Sequence, residues 1–411
     1  MKIICDRDVL SENINAALKA VSSRTTLQIL ECVLLIAEDD NFRIIGNDLE
    51  IGIETSAINA EIFEAGSVAI DAKMLSDVIR RLPPGDVSVQ TDANNMTIIK
   101  CQKAEYKIFG QPGDEFPFLP KIEKSERYEI SANAFKNIVR QTVFSVAIDD
   151  SKPVLTGELM EIKNGALKLV ALDGFRVALR EAALGFESVE DEEDYEEKNK
   201  EEENVEENKE DGEKNEDNKI SAIDISFKDV SAAVKCIIPS KALNELGKLI
   251  SSEKDEPLGI YVTEKYVLFE LTSCVVVSRL LEGEFINYEN IFTNDYTTLV
   301  RADRTRLIDC VDRASLINRD KKSPTKFKIA DDRIVITSMT EMGTSYDEAD
   351  VEIDGIPLDI SFNHRYVIEA LKAIDEDFVE IQFTTPLSPC IIRSEENMSY
   401  KYLILPLRTM N

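Results

Sequence analysis

The stretch Leu172-Asp173-Gly174-Phe175-Arg176-Val177-Ala178-Leu179 carries the clearest fold signal in the sequence. An alternating apolar run at 166–171 precedes it and is typical of a strand. Asp173-Gly174 is a two-residue turn signal, and the alternation resumes at Phe175, so the stretch predicts a β-hairpin. A weaker copy of the pattern lies at 42–53. Two similar hairpins suggest that the chain is built from repeats.

Six amphipathic segments, with apolar residues three and four positions apart, predict six helices. They begin near residues 7, 71, 131, 239, 303 and 363, and Ser131 is a plausible N-cap of the third. The first, third and fifth form one series, and the second, fourth and sixth form another. Both series repeat about every 125 residues once an excess of about 45 in the middle is set aside.

The repeat predicts three α+β units at 1–120, 126–290 and 297–411, each with two helices and roughly eight mostly antiparallel strands. The middle unit contains an acidic tract at about 187–219, with a net charge of about −13. The tract has too few apolar residues to offset the entropy of ordering, so we expect a disordered insertion. Three unrelated α+β domains with chance spacing are the alternative.

Composition limits the possible functions of these 411 residues. The net charge of −30 argues against tight nucleic-acid binding, and no apolar run is long enough to cross a membrane. The opening residues lack a signal-peptide layout, and seven scattered cysteines are typical of reduced thiols. We therefore expect a cytoplasmic protein without disulfides or a zinc site.

Signs of catalysis are sparse. No phosphate-binding loop, nucleophile elbow or zinc-protease motif occurs, and we expect no cofactor or metal. Asp149-Asp150 could hold Mg²⁺, although adjacent acids in so acidic a chain are usually solvated turns. The single histidine, His364, stands at the start of a predicted helix, where we expect a surface or capping residue.

Two further features each leave two interpretations open. Basic residues on the predicted helices form either ordinary helix surface or a surface that faces nucleic-acid phosphates. In the C-terminal segment 402–411, alternating leucines around Pro406 indicate an edge strand. That strand either completes a core or lines a groove for a partner's peptide.

Several motifs, taken in order, resemble the bacterial DNA polymerase III beta subunit family, the replicative sliding clamps. The resemblance covers essentially the whole chain outside the acidic insertion. It is carried by the Met1-Lys2-Ile3 start and by the segments 26–30, 110–117, 154–159, 172–176, 238–241 and 405–408.

The resemblance implies a non-catalytic protein in which two chains pair head to tail into a ring of six similar domains. Helices line the hole, and the ring encircles duplex DNA without sequence preference. Implied partners are the DNA polymerase III catalytic subunit, the clamp loader, other DNA polymerases and repair proteins, which bind through short apolar peptides. An acidic, repeat-built scaffold that never encircles DNA is the alternative.

The resemblance also implies two sets of site residues. The peptide groove falls on Leu155, Leu172, Gly174, Phe175, Arg176, Val177, Pro239, Leu243, Leu403, Leu405, Pro406, Leu407 and Arg408. For DNA binding the resemblance implies Arg24, Lys73, Arg80 and Lys152, and the basic residues of the third predicted helix add Lys136 and Arg140 to this set. Phe175 replaces a histidine common in the family, and Pro153-Val154 replaces an aromatic pair that some members carry.

Overall fold

The structure is a computed structural model that describes residues 1–22, 25–38, 40–122, 126–148, 152–185, 233–292, 295–318 and 323–408. Arg24, Asp149-Asp150 and the acidic tract at 187–219 lie outside these ranges.

All six predicted helices are present. They are α1 Arg7–Leu18, α2 Ala72–Arg81, α3 Ala132–Thr142, α4 Ser240–Leu249, α5 Arg304–Ser315 and α6 His364–Ala373. Five follow a strand directly and α6 follows β24 after Asn363, and side-chain caps set most of the start points. The Ser131 hydroxyl accepts a hydrogen bond from the Ala134 amide (3.0 Å), which confirms the predicted cap. His364 is the first residue of α6 but is only 7% exposed, and Asn363 is the N-cap, so the expected surface or capping role is wrong.

The strands are short and antiparallel, with ten, eight and nine of them in the described parts of the three units. The first unit holds β1 Lys2–Asp6, β2 Cys32–Glu38, β3 Asn41–Asn47, β4 Ile51–Thr55, β5 Glu61–Glu64, β6 Gly66–Asp71, β7 Asp86–Thr91, β8 Met96–Cys101, β9 Ala104–Phe109 and β10 Gln111–Pro112. The second holds β11 Tyr128–Ser131, β12 Gly157–Lys163, β13 Ala166–Leu172, β14 Arg176–Ala183, β15 Val234–Pro239, β16 Pro257–Val262, β17 Tyr266–Glu270 and β18 Cys274–Arg279. The third holds β19 Thr298–Asp303, β20 Thr325–Ala330, β21 Arg333–Thr340, β22 Gly343–Asp350, β23 Glu352–Gly355, β24 Leu358–Phe362, β25 Phe378–Phe383, β26 Cys390–Ser394 and β27 Tyr400–Ile404.

The two predicted hairpins adopt the same turn. In the first, Asp48 accepts hydrogen bonds from the amides two and three residues later, and Asp173 does the same in the second. Because Asp173 holds the amides of Phe175 and Arg176 in this turn, β14 begins at Arg176, one residue later than predicted. Gly174 has φ +89°, a left-handed conformation that glycine adopts without steric cost.

Each hairpin joins its unit to the next. β4 pairs with β18 and β14 pairs with β27, so two nine-stranded sheets run across the unit boundaries. At the first joint Ile53 lies opposite Val276, and at the second Ala178 lies opposite Tyr402. All four side chains are at most 1% exposed, so apolar burial stabilises both joints.

The core is divided among the units but crosses the joints. Ile51 and Ile53 of the first unit pack in the core of the second, and Ala178 of the second packs in the core of the third. The seven cysteines are buried as free thiols, as the sequence predicted. No helix in the described ranges is long and apolar enough to cross a membrane.

Candidate peptide groove and DNA interface

Four predicted groove residues meet in one apolar cluster at the joint between the second and third units. Leu155 precedes β12, Leu172 and Val177 flank the hairpin turn, and Leu403 lies on β27. Each is at most 6% exposed. They therefore form a floor beneath the surface rather than the surface itself.

The exposed part of the site lies above this floor. Phe175 is 56% exposed and stacks on Tyr366 of α6, with 6.4 Å between the ring centroids. The Leu405 amide donates to the Phe175 carbonyl (2.9 Å), which attaches the C-terminal segment to the hairpin. Leu405 is 39% exposed, so two large apolar side chains and the Tyr366 ring offer contact surface side by side.

Arg176 is held rigidly at the same joint. Its guanidinium donates to Asp173 (3.1 Å), to Glu369 of α6 and to the Phe144 carbonyl. It also lies 4.3 Å from the centroid of the Tyr366 ring. Only 8% of the residue is exposed, so it orients the hairpin against α6 and offers little surface to a ligand.

The remaining groove residues are dispersed. Leu243 is fully buried in the helical core of the second unit, away from the joint cluster. Pro239 ends β15 opposite Gly157. Leu407 and Arg408, which follow the half-buried Pro406, line a cleft of about 1180 Å³ on the third unit.

Sequence reasoning missed two residues at this site. They are Tyr366 of α6 and Ile391 of β26. Ile391 packs in the joint cluster with Leu403, its partner on the neighbouring strand. Neither has a sequence signal beyond its apolar character, because their position depends on the pairing of distant strands.

The basic residues predicted to contact DNA fall into two groups. Lys73, Arg80 and Lys152 are exposed, although Arg80 forms a surface ion pair with Asp77 (2.6 Å). Lys136 and Arg140 are occupied within the chain, as described next.

Lys136 donates to the Ile250 carbonyl (2.8 Å) at the end of α4. Arg140 donates to both carboxylate oxygens of Asp375 (2.8 and 2.6 Å), which links α3 to the segment after α6. A DNA phosphate would have to compete with these bonds for each cation. The first role of both side chains is therefore to stabilise the fold.

Positive charge is nevertheless concentrated on the helices. The six helices carry 13 Lys and Arg against 7 Asp and Glu, a net of +6 in a chain whose total is −30. The rest of the chain therefore carries −36. Within the described ranges no group of acids, cysteines and histidine is arranged to hold a metal ion.

Comparison with known proteins covers all three units in order. The chain matches the N-terminal domain of the DNA polymerase III beta subunit over residues 1–120, the central domain over 129–195 and 216–287, and the C-terminal domain over 289–408. It is 32% identical to the beta sliding clamp of Staphylococcus aureus over the full length of both proteins.

Solved structures give the same result. A DNA polymerase III beta subunit from Eubacterium rectale is 34% identical, with a TM-score of 0.85, and the DNA polymerase sliding clamp of Bacillus subtilis is 29% identical, with a TM-score of 0.86. Both matches cover the whole of each chain.

Fold and comparisons together define the class as a DNA clamp made of three repeated α+β units. The chain belongs to the family of bacterial DNA polymerase III beta subunits, the sliding clamps. This confirms the family, the fold class and the clamp function predicted from the sequence, and it does not support the scaffold alternative. Clamps of this family are processivity factors, so a non-catalytic role is confirmed as well.

Proposed function

We propose that two copies of this chain close into a ring through β9 of one copy and β22 of the other. The observation that carries the proposal is a pair of sheet edges that have no partner strand among the described residues. β9 ends a five-stranded sheet in the first unit, and β22 ends a four-stranded sheet in the third. Joined, five and four strands make nine, the size of the two sheets that cross the joints within the chain.

The repeats also predict the register of this joint, beginning with β22. At the two internal joints, Ile53 and Ala178 face the next unit. Ile53 lies twelve residues after Asn41, the first residue of β3, and Ala178 lies twelve residues after Ala166, the first residue of β13. The same count from Arg333, the first residue of β21, reaches Ser345 on β22.

The opposite side follows from the strand ladder. In each unit, cross-strand pairs can be followed over three steps from the strand at the unit's edge to the strand before the first helix. The path that starts at Val276, at Tyr402 or at Tyr106 ends in each case four positions before the first residue of that helix. The pairs run from Val276 through Phe269 and Ile260 to Tyr128, from Tyr402 through Ile392 and Ile381 to Val300, and from Tyr106 through Ile99 and Val89 to Ile3. Tyr106 of one copy should therefore lie opposite Ser345 of the other.

Side-chain character supports this register. Tyr106 shares a cleft with α2, and the Ser345 hydroxyl donates to the Ala314 carbonyl of α5, so both face the helices as their counterparts do. Three residues further along the antiparallel pair, Phe109 would meet Met342. These side chains are 77% and 67% exposed in the single chain, and pairing would bury both.

A closed ring with twelve helices around its hole explains the charge pattern. The helices would bring +12 toward duplex DNA, while the acidic exterior is kept away from the phosphates. Weak phosphate contacts allow sliding, and topological linkage removes the need for tight binding. Lys73, Arg80 and Lys152, with Arg24, are the contacts we propose. Lys136, which is bonded to neutral acceptors, adds to the positive field, whereas Asp375 largely neutralises Arg140.

The groove at the second joint would hold the partners on this ring. Phe175, Leu405 and Tyr366 offer an apolar surface for short peptides of the DNA polymerase III catalytic subunit, the clamp loader, other DNA polymerases and repair proteins. Tethering keeps a polymerase at high effective concentration at the primer end.

We further infer unit boundaries of 1–120, 126–290 and 297–411, which are consistent with the sheet joints. We also infer a cytoplasmic location, which is consistent with seven free thiols.

Site-specific crosslinking tests the ring. Facing Cα atoms in an antiparallel pair lie about 4.5–5.5 Å apart, within the range of a disulfide. A Tyr106→Cys, Ser345→Cys variant should therefore give covalent dimers on oxidation, with little background because the native thiols are buried. Rings that are first loaded onto nicked circular DNA with a clamp loader and ATP, and only then oxidised, should stay on the DNA in high salt. They should leave only when the circle is cut.

The control variant combines Tyr106→Cys with Asp347→Cys, so that the second cysteine lies two residues further along β22 than Ser345. These positions face the same side but would be too far apart to bridge. Equal crosslinking of both variants, or none of either, would contradict the register. Oxidised rings that leave intact circles would contradict encirclement.

A further inference from the structure

A cleft of about 770 Å³ has no part in the function proposed above. It lies between β15, the edge strand of a nine-stranded sheet, and the connector 280–289 that leads to the third unit. Its apolar lining includes Leu159, Ile237, Leu281 and Phe285. These side chains belong to, or pack against, the same apolar cluster that forms the floor of the peptide groove. Groove and cleft are therefore two surfaces over one core.

The cleft has a charged group at its base. Glu161 is 7% exposed, accepts a hydrogen bond from the Tyr288 hydroxyl and forms an ion pair with Lys235. Burial favours the neutral form of Glu161, but the bonds from Lys235 and Tyr288 outweigh it and lower the pKa of the carboxyl. Glu161 therefore stays ionised and its charge is cancelled by Lys235.

The rim of the cleft is acidic. Glu161 and Lys235 cancel each other, and Glu282, one of four exposed carboxylates, pairs with Arg279 (3.7 Å). The other three carboxylates face a single lysine, a net of −2. The four carboxylates are Glu264, Glu282, Glu284 and Glu289, and the lysine is Lys265. An apolar floor with an acidic rim is complementary to a basic segment that carries a large apolar side chain.

The wall of the cleft is built into the fold. The Leu281 amide donates to the Ile237 carbonyl (2.9 Å), which fixes the connector along β15. Gly283 has φ +136°, and a Cβ there would lie 2.6 Å from a methyl carbon of Val154. The connector thus packs directly beside Leu155 of the groove floor and is shaped before any ligand arrives.

We propose that this cleft is a second docking subsite, which binds a Lys- or Arg-rich segment with a large apolar residue, next to the peptide that a partner places in the groove. The inference rests on the proposed groove function and extends it. It makes partner affinity depend on salt, because groove contacts are apolar whereas the acidic rim acts through charge. Partners with a basic flank would be held more tightly than partners with the apolar motif alone.

Fluorescence anisotropy with three labelled peptides tests the subsite. One carries a six-residue motif of Leu and Phe residues, one carries the motif with a flank of Lys, Arg and Leu, and one carries it with an acidic flank of equal length. We expect the basic flank to tighten binding about fivefold at low salt and the acidic flank to give no gain.

The variant Glu282→Lys, Glu284→Lys should lose that gain while binding the motif alone as before. Glu64→Lys, a reversal on the distant strand β5, should keep it. No gain with wild-type protein, or a gain that survives in the double reversal, would overturn the proposal. If the motif alone fails to bind, the groove proposal fails. The isolated basic peptide then tests the cleft by itself: it should bind wild-type protein more tightly than the double reversal, and equal binding would overturn the proposal.

Discussion

Glu158 on β12 gives the sharpest test of the energetics, since it is a carboxyl with no exposure. Neither of its oxygens has a hydrogen-bond partner among the described residues. The neighbouring Thr142 hydroxyl is already committed, because it donates to the Ile138 carbonyl (2.9 Å). Burial raises the pKa of Glu158 from 4.5 to about 8, and Thr142 offsets only part of that effect.

The sign and size of the effect follow from linkage. A carboxyl whose pKa is higher in the folded state stabilises the protein below the unfolded pKa, and this contribution is lost as pH rises toward the folded pKa. Between pH 4.5 and 8 the unfolded chain gives up the proton while the folded chain keeps it, which costs about 1.4 kcal/mol per pH unit. From pH 5.5 to 7.5 the loss is about 2.7 kcal/mol.

Glu158→Gln should remove this dependence, because a carboxamide is neutral in both states and similar in shape. Urea unfolding of both proteins at several pH values gives the difference in the free energy of unfolding. That difference should shift by about 2.7 kcal/mol in favour of the variant between pH 5.5 and 7.5.

Glu161, three residues along the same strand, is the matched control. The bonds from Lys235 and Tyr288 hold the pKa of its carboxyl below the usual value, so its stabilisation is present at neutral pH and lost on acidification. Glu161→Gln should be less stable than wild type at neutral pH. The difference in their free energies of unfolding should become smaller as pH falls. A constant difference between Glu158→Gln and wild type across the pH range would refute the assignment of a buried, neutral carboxyl.

Three further predictions concern the groove, the hole and the closing joint. Leu405→Ala with Leu407→Ala should weaken peptide binding at least about tenfold in anisotropy while the dimer persists in gel filtration, and a loss under about twofold would exclude these residues from the groove. Arg80→Glu should lower loading onto DNA more at about 50 mM than at about 300 mM salt, because phosphate contacts act before topological linkage holds the ring. Arg140→Glu, which breaks the pair with Asp375, should mainly lower the free energy of unfolding, by roughly 1 kcal/mol, and an equal salt dependence of loading for the two variants would contradict this division. Lys73 occupies the repeat position of Lys241, which pairs with Asp48 across the first joint. At the closing joint the position of Asp48 falls on Thr340, next to Glu341, so Lys73→Glu should set like charges together and raise the dimer dissociation constant about tenfold by sedimentation; an unchanged constant would leave Lys73 as a DNA contact only.

The sequence alone predicted the local structure of this protein well. Helix periodicity, the Ser131 cap and the Asp-centred turns act over a few residues, so six helices and both hairpins could be derived before any contact was known. The period of about 125 residues exposed the repeat, because equivalent units keep the same spacing between helices. The motifs then indicated the family.

Tertiary structure decided which predicted site residues are available. Arg140 and Lys136 looked like free cations, but residues more than a hundred positions away bind them. Leu243 matched the groove by position, yet packing against the helical core buries it completely. Tyr366 stacks on Phe175 only because α6 lies against the hairpin. Exposure and ion pairing depend on contacts between distant segments, and a linear pattern carries no information about which distant segment will fill a given space.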